Sequence, residues 1–583
     1  MKTPALAITA TAATALSALQ PLSPSAFCSD APPPRPNIIF ILCDDLGYGD
    51  IGAFFQNARH AADPAAPCEL TPNLDRMAAQ GARLTHHYCA APVCVSSRSS
   101  LLTGLSQGHA NVRDSQFDKA IADNHTLATV LRQAGYATAA IGKWGLHGDE
   151  KSLNKKPETA ADLDRTDWPA FPLNRGFDFF LGFLRHVDGH DHYYKEAPHF
   201  AKTEGKTRGP IYVWENHANI TATLDKCYSA DLFTARAKQW IIDHVAQTAK
   251  SADAAQPRPI QNPKSKIENP QPFFLYLAYD TPHIALELPT QPYPPGGGLH
   301  GGLQWLGKPG RMINTATGKI DSWTHPDYAN ATYTDNTAPG SPKKPWPDNA
   351  KRYATAVRRL DDALADLLQL LKDLHIDDNT IVIFTSDNGP EDVRSGKNTV
   401  TQFFASFAHF DGVKRDVLEG GLRVPAIARW PGRIPAATEI AAPCIMYDWL
   451  PTFAELAGLP PPANADGRSL LGNLLARPTP ASRGAADPAD YLYTEYHIGS
   501  KTPNYSEFEP ARRNRTRNQM QALRQGDLMA LRYNTKTQQD DFEIYNVATD
   551  PKETRNLAQT PEGPALQTHF KTLALQPRRP DPT

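Results

Sequence analysis

The sequence predicts an α/β fold: a mostly parallel central sheet flanked by helices, with a smaller C-terminal α+β subdomain that contains an antiparallel sheet. Three observations predict it. Short unbroken apolar runs recur and each stops at a polar cluster, helix-period segments lie between them, and the residues beyond 477 carry only short strand-like runs.

An unbroken apolar run is what a strand covered on both faces requires. The first is Asn37-Ile38-Ile39-Phe40-Ile41-Leu42-Cys43, which ends in Asp44-Asp45-Leu46-Gly47. Ala137 to Gly142 is followed by Lys143, and Phe273 to Tyr279 by Asp280-Thr281-Pro282-His283. Thr380 to Thr385 leads into Ser386-Asp387-Asn388-Gly389. Between such runs, Tyr353 to Leu374 sets Val357, Leu360, Leu364, Leu367, Leu371 and Leu374 on one helical face by steps of three and four. Leu74 to Ala82 and Leu127 to Ala134 read as shorter helices. In sheets connected this way, ligands bind beyond the carboxyl ends of the strands. Four strands here deliver Asp, Asn, His or Lys to that edge, which predicts one shared site.

Other stretches interrupt the pattern. Ala249 to Gln271 is polar and rich in Pro and Lys, the composition of a loop. Pro289 to Asn349 is Gly/Pro-rich with little periodicity, and an insertion of that length is expected to form part of a substrate wall. Arg477 to Asp490 reads as a linker that divides a catalytic domain, residues 36–476, from a C-terminal subdomain, residues 477–583. In the latter, Tyr491 to Tyr496, Leu528 to Tyr533 and Phe542 to Tyr545 suggest short antiparallel strands.

A chain of 583 residues is long enough for a large core, and its 60 basic and 62 acidic residues nearly balance. That balance gives no basis for a nucleic-acid or polybasic membrane partner. Lys2, the uncharged stretch from Ala5 to Leu19 and the small residues around Ser23 to Ser25 form the pattern of an export signal over residues 1–25. A periplasmic or extracellular location follows. No other apolar run approaches the roughly 20 residues that cross a bilayer. Seven cysteines are too few and too scattered for a disulfide framework; in an exported protein Cys68 and Cys89 are the pair to consider.

Asp44, Asp45, Asp387 and Asn388 offer only oxygen, the ligand set of a hard divalent cation, and no His or Cys stands at zinc spacing beside them. Either pair alone would serve as a helix cap or a turn. Two such pairs at the ends of two buried strands favour a metal. The same chain carries Cys94-Val95-Ser96-Ser97-Arg98 followed by Leu101-Leu102-Thr103-Gly104, a cysteine four residues before an arginine and nine before a Thr-Gly pair.

These segments resemble the signatures of the formylglycine-dependent sulfatases, members of the alkaline phosphatase-like superfamily. Gly135-Tyr136-Ala137-Thr138-Ala139-Ala140-Ile141-Gly142-Lys143-Trp144 is similar to their second signature. Lys414 ahead of Glu419-Gly420-Gly421-Leu422-Arg423-Val424-Pro425 is similar to their second lysine segment, and Asp550-Pro551 with Asn556-Leu557-Ala558 to their C-terminal motif. The resemblance runs from about Pro36 to Leu557.

It implies that a maturase oxidises Cys94 to 3-oxoalanine (formylglycine), whose hydrate attacks the sulfur of a sulfate ester. Asp44, Asp45, Asp387, Asn388 and the modified Cys94 would hold one calcium ion. Lys143 and Lys414 would bind sulfate oxygens, Arg98 would hold the hydrate polarised, and His283 would protonate the leaving oxygen. The implied substrate is a sulfated carbohydrate or an aryl sulfate. The rival on the same scaffold is hydrolysis of phosphate or phosphonate esters, and an unconverted Cys94 would leave a calcium-dependent binder of sulfated glycans.

The chain departs from the family pattern twice. Ser96 stands where the maturation core usually has Pro or Ala. Gly145 stands where the lysine motif usually continues with a histidine that takes a proton from the hydrate. His147, two residues on, is the candidate replacement. A cluster of Arg185, His186, Asp188, His190 and His192 is the other source of imidazole, and from it His186 and His190 are assigned to the substrate pocket.

Overall fold

The computed structural model describes residues 35–148, 168–198, 211–255, 271–334, 341–392, 394–395, 398–477 and 490–579. The export signal read at residues 1–25 lies outside them. Ten strands form the central sheet: β1 (Asn37–Cys43), β2 (Ala82–Leu84), β3 (Ala137–Lys143), β4 (Phe179–Phe183), β5 (Val213–Glu215), β6 (Ala218–Asn219), β7 (Phe273–Ala278), β8 (Thr380–Ser386), β9 (Ala426–Arg429) and β10 (Thr438–Ile440). Their order is β10-β2-β9-β8-β1-β7-β3-β4-β5-β6. The middle five, from β8 to β4, are mutually parallel, while β9 and β5 join this block antiparallel on either side.

The predicted apolar runs are the strands of that parallel block. Side chains of a strand alternate between faces, and β1 shows the result. Ile38, Phe40 and Leu42 enter one core with Leu127, Leu131, Trp449 and Phe453, whereas Ile39, Ile41 and Cys43 enter a second with Val357, Leu360 and Leu364. The helices that supply these layers are α1 (Pro72–Gln80), α2 (Cys94–Thr103), α3 (Leu127–Gln133), α4 (Ser229–Ala255), α5 (Asp348–Asp373) and α6 (Trp449–Leu456). The long predicted helix begins at Asp348 rather than Tyr353, because Pro347 sets its start and the polar first turn carries no apolar period.

Two sequence expectations are corrected. Ala249 to Ala255 is not loop but the last part of α4; residues 256–270 lie outside the described set. Cys68 and Cys89 are both free thiols, with Cys89 buried near the Gly421 carbonyl and Cys68 near the Glu69 carbonyl. The 289–349 insertion is built into the core through buried Leu303, Ile313, Tyr328 and Trp346, and it carries short hairpins such as Trp305–Lys308 with Arg311–Ile313.

Near the C-terminus, β11 (Leu492–Lys501), β12 (Thr516–Gln525), β13 (Leu528–Arg532) and β14 (Glu543–Asn546) form an antiparallel meander covered by α7 (Gly563–Ala574). Three of these strands are anticipated. β12 is missed: its polar Thr-Arg-Asn-Gln opening hides a strand whose Met520, Ala522 and Leu523 are buried. The division of the chain at residue 477 is our proposal, supported by this sheet being built wholly from residues that follow it. No helix among the described residues is long and apolar enough to cross a membrane.

Candidate active site

Parallel register gathers the predicted residues. Cys43 pairs with Ser386, so Asp44 and Asp387 emerge side by side one residue further on. Gly142 pairs with Ala278, which brings Lys143 and the segment after β7 to the same edge. Asp44, Asp45, Asp387, Asn388, Lys143 and Lys414 are all at least 98 % buried. Charges so far from water persist only when paired.

The pairing is specific. Lys143 Nζ lies 2.5 Å from Asp44 Oδ2, and Lys414 Nζ lies 2.7 and 2.8 Å from the two oxygens of Asp45. Asn388 donates from Nδ2 to Asp45 Oδ1 at 2.7 Å. Arg98 donates from Nε to Asp387 Oδ2 at 2.8 Å, and its Nη2 stands at ion-pair distance from the same oxygen, 2.8 Å, and 3.6 Å from Asp44. Burial alone would raise the Asp44 carboxyl, but Lys143, His283 and Arg98 outweigh it and hold it well below the usual carboxylate range. Asp387 goes the other way: burial, then the charge of Asp44, push it up to about 7 against the pull of Arg98.

Cys94 opens α2 behind the extended Val93, and every residue of that helix is buried. Arg98 follows one turn later on the same face, so one short helix aims both side chains at the strand ends. Burial pushes the Cys94 thiol up to about 11. Its sulfur lies 3.5 Å from Nδ1 of His186. His283 Nε2 is 3.5 Å from Asp45, and its ring stacks on His190 with centroids 5.1 Å apart and meets His186 edge-on at 6.1 Å. Three imidazoles therefore line one side of the site.

The residues present fit a hard cation. Ligand atoms of Asp44, Cys94 and Asp387 lie within 4.8 Å of one another, as do those of Asp44, Asp45 and His283. Asp44 Oδ1 and Asn388 Oδ1 are buried oxygens with no hydrogen-bond donor. Oxygens left so are costly unless something accepts their lone pairs. The Asp387-Asn388-Gly389 turn reaches this position because Gly389 packs directly on backbone: a Cβ there would stand 2.4 Å from the Gly420 carbonyl oxygen. The glycines of the Lys414 segment are thus part of the site's framework.

His147 is placed elsewhere. Nδ1 of its fully buried ring is 2.9 Å from the Leu184 carbonyl, its ring stacks on Trp168 at 4.4 Å, and Asp118 is 3.7 Å away. Among the contacts described, it is His186 and not His147 that meets Cys94.

One residue and one pairing escape the sequence reading. Glu391, two residues beyond Gly389, lies 3.2 Å from Lys414 and pairs with Arg415 at 2.7 Å. Lys414 and Arg415 overcome the effect of burial and hold its carboxyl well below the usual range. Its nearness to the Asp387 turn was the available signal. The pairing is that of His192, already named in the imidazole cluster, with Asp280: His192 Nδ1 is 3.3 Å from Asp280 and 2.9 Å from Ser229 Oγ, and its Nε2 is 3.2 Å from the His283 carbonyl. The polar residues that end β7 had marked only His283 for function.

Comparisons with known proteins agree with this geometry. The Sulfatase family model matches residues 36–459, and a model described as N-sulphoglucosamine sulphohydrolase, C-terminal, matches residues 406–579. N-acetylgalactosamine-6-sulfatase of Canis lupus familiaris is 28 % identical over 519 residues, covering 85 % of this chain and 78 % of that protein. The crystal structure of Ps i-CgsB superposes with a TM-score of 0.58 at 22 % identity, covering 94 % of each chain. The structure of BT4656 in complex with its substrate D-glucosamine-2-N,6-O-disulfate superposes at 0.55 with 19 % identity, covering 93 % of this chain and 97 % of that one. At such identities the superpositions speak for the fold, which is that of the alkaline phosphatase-like sulfatases. With the family model spanning most of the chain, from the first strand to beyond α6, this protein belongs to the sulfatase family and is a sulfuric ester hydrolase.

Proposed function

We propose that the protein hydrolyses the sulfate ester of a sulfated carbohydrate through a formylglycine derived from Cys94, with one calcium ion held by Asp44, Asp45, Asp387, Asn388 and residue 94. The observation that carries this reading is the convergence of carboxylate oxygens, the Cys94 side chain and two lysines at one buried sheet edge. The aldehyde would supply a hydrate nucleophile that can later release sulfate, which a thiol cannot. The ion would supply positive charge against a sulfate oxygen and fix the nucleophile's position.

The chain's own residues do the rest. Lys143 and Lys414 carry the positive charge that binds the other sulfate oxygens and stabilises charge growing on them. Arg98, anchored by Asp387, presents a fixed guanidinium beside residue 94. His283 donates a proton to the departing alcohol oxygen, and His190 stacked on it fixes its plane. Sulfated carbohydrate is favoured because the relatives named above act on N-acetylgalactosamine-6-sulfate, by their name, or were captured with a disulfated glucosamine. Conversion of Cys94 requires a maturase, and the sequence of residues 1–25 supports export.

Intact-mass measurement of the Cys94 peptide tests the central claim: the aldehyde is lighter than the thiol. An active enzyme with only the thiol mass defeats the formylglycine reading, and an inactive one leaves the calcium-dependent binder. Faster turnover of phosphate or phosphonate esters than of sulfate esters would move the protein to the rival activity.

A further inference from the structure

We infer that His186 is the proton acceptor that releases sulfate from residue 94, supplying from the turn that follows the neighbouring strand β4 the imidazole that Gly145 lacks. This inference rests on the formylglycine reading above.

The backbone explains the substitution. Position 145 follows Lys143 closely, but Gly145 has φ of +73°, a left-handed conformation that disfavours a side chain. Its amide donates to the Leu184 carbonyl at 2.9 Å, and that of Trp144 donates to the Phe183 carbonyl at 3.2 Å. The β3–β4 pairing therefore continues past Lys143, opposite Phe183, and carries the chain after β4 alongside the lysine segment. His186 is the first imidazole on that neighbouring segment.

Its ring is held from several sides. The His186 amide donates to Asp118 Oδ1 at 2.6 Å, and Phe117 stacks under the imidazole at 4.0 Å with the planes 18° apart. His190 meets the ring edge-on at 5.5 Å. Nδ1 is the atom directed at residue 94, 3.5 Å from Sγ. A proton acceptor must stand within hydrogen-bond reach of the group it deprotonates. His147, with Nδ1 on the Leu184 carbonyl, instead braces the backbone that presents His186.

The step balances without another cofactor. Nδ1 takes the proton of the free hydroxyl on residue 94, and the electron pair left on that oxygen closes the carbonyl bond. The carbon–oxygen bond to sulfate breaks, and sulfate leaves with that bonding pair. One water then adds across the carbonyl and restores the diol, while the proton on His186 passes to solvent.

The test uses His186→Ala, His186→Asn and His147→Ala in the full-length converted enzyme. Each is mixed with excess aryl sulfate and quenched for mass analysis of the Cys94 peptide. Both His186 variants should retain sulfate on that peptide, with a burst of about one equivalent of phenol. Steady turnover should then fall by roughly 10²- to 10⁴-fold. His147→Ala should show neither burst nor retained sulfate. Wild-type turnover in His186→Asn, an adduct in His147→Ala instead, or equal slowing of burst and steady state would each overturn the assignment. Should His186→Ala fail to fold, His186→Asn, which fills the site with an amide that takes no proton, decides alone. A thiol mass on the active wild-type peptide would instead overturn the formylglycine reading before any variant is made.

Discussion

Lys143 and Asp44, ninety-nine residues apart, meet in a buried ion pair at 2.5 Å, and each stands at the carboxyl end of its own strand. The pair ties the candidate sulfate-binding charge to the candidate metal-binding carboxylate. Lys143→Ala should therefore have two separable effects. Turnover of sulfate esters should fall by about 10²- to 10³-fold, as when a preorganised donor to developing charge is removed. Stability should fall as well, because breaking a buried pair from one side typically costs about 3–5 kcal/mol. Added calcium, by neutralising Asp44, should restore part of the melting temperature and none of the activity. Full recovery of both would show that Lys143 serves the metal site only.

Metal removal gives a second expectation. Chelation of the purified enzyme should abolish turnover and lower the melting temperature, since an ion bound only by the folded state stabilises it by linkage. Calcium should restore the chelated enzyme better than zinc, given a site of carboxylate and amide oxygens. Asp387→Ala removes a proposed ligand and the anchor of Arg98 together, and should be inactive at any calcium concentration. Elemental analysis showing stoichiometric zinc and no calcium would reverse this expectation.

Arg98 offers a third, through geometry rather than charge. Its Nε donates to Asp387 while its Nη2 stands at ion-pair distance from both Asp387 and Asp44, a planar placement that lysine cannot copy. Arg98→Lys should thus lose most activity although charge is conserved, measured as a fall in kcat. A wild-type kcat would show that only the positive charge matters.

The sheet and its edge were legible because their physics is local. A run such as Ile38 to Cys43 needs no partner to announce a strand buried on both faces, and the polar residues that stop it must leave at the sheet's end. Lys143 and Asp387 could be placed together on that ground alone. Which imidazole faces Cys94 was not legible. His147 is nearer in sequence to Lys143, but the choice is made by the β3–β4 register and by Phe117 and Asp118, which come from a loop with no periodicity. Glu391 could be suspected only from its place two residues after Gly389: its pairing comes from Lys414 and Arg415, which reach it from a later segment. β12 was hidden by its polar residues, whose partners come from distant segments, as the Lys414 carbonyl does for Arg517.

That contact leads to a prediction about the C-terminal sheet. Arg517 donates to the Lys414 carbonyl at 3.2 Å, while Asp416, two residues on, accepts from Thr502 Oγ1 and Tyr533 OH, both at 2.5 Å. The sheet thereby holds the backbone that carries Lys414. Tyr533→Phe removes one of these bonds and little volume, so stability should drop by about 0.5–3 kcal/mol. If the sheet positions Lys414, kcat should fall several-fold in Tyr533→Phe with the folded fraction unchanged. A variant that loses stability but keeps full kcat would make the sheet a structural brace only.

The last prediction concerns pH and the buried pair behind His283. Burial alone would lower the His192 imidazole, but Asp280, with Glu287 beside it, outweighs burial and raises it to about 9. In an unfolded chain the group sits near 6.5. A folded value above the unfolded one means that its contribution to stability is complete below about pH 6.5 and is lost as pH rises through about 9. At full strength that contribution is about 3 kcal/mol. Nearby Glu287, which burial pushes up to about 7, completes its own titration in the lower part of this range. Denaturant unfolding at pH 7.5 and pH 10 should therefore show a loss in the wild type beyond any seen in His192→Gln. That variant should be less stable at pH 7.5, because Asp280 loses its cationic partner, and the two stability curves should converge as pH rises. Parallel curves across the range would show that His192 is neutral in the folded protein and that Asp280 is held by the hydroxyls of Tyr194, Ser229 and Thr281.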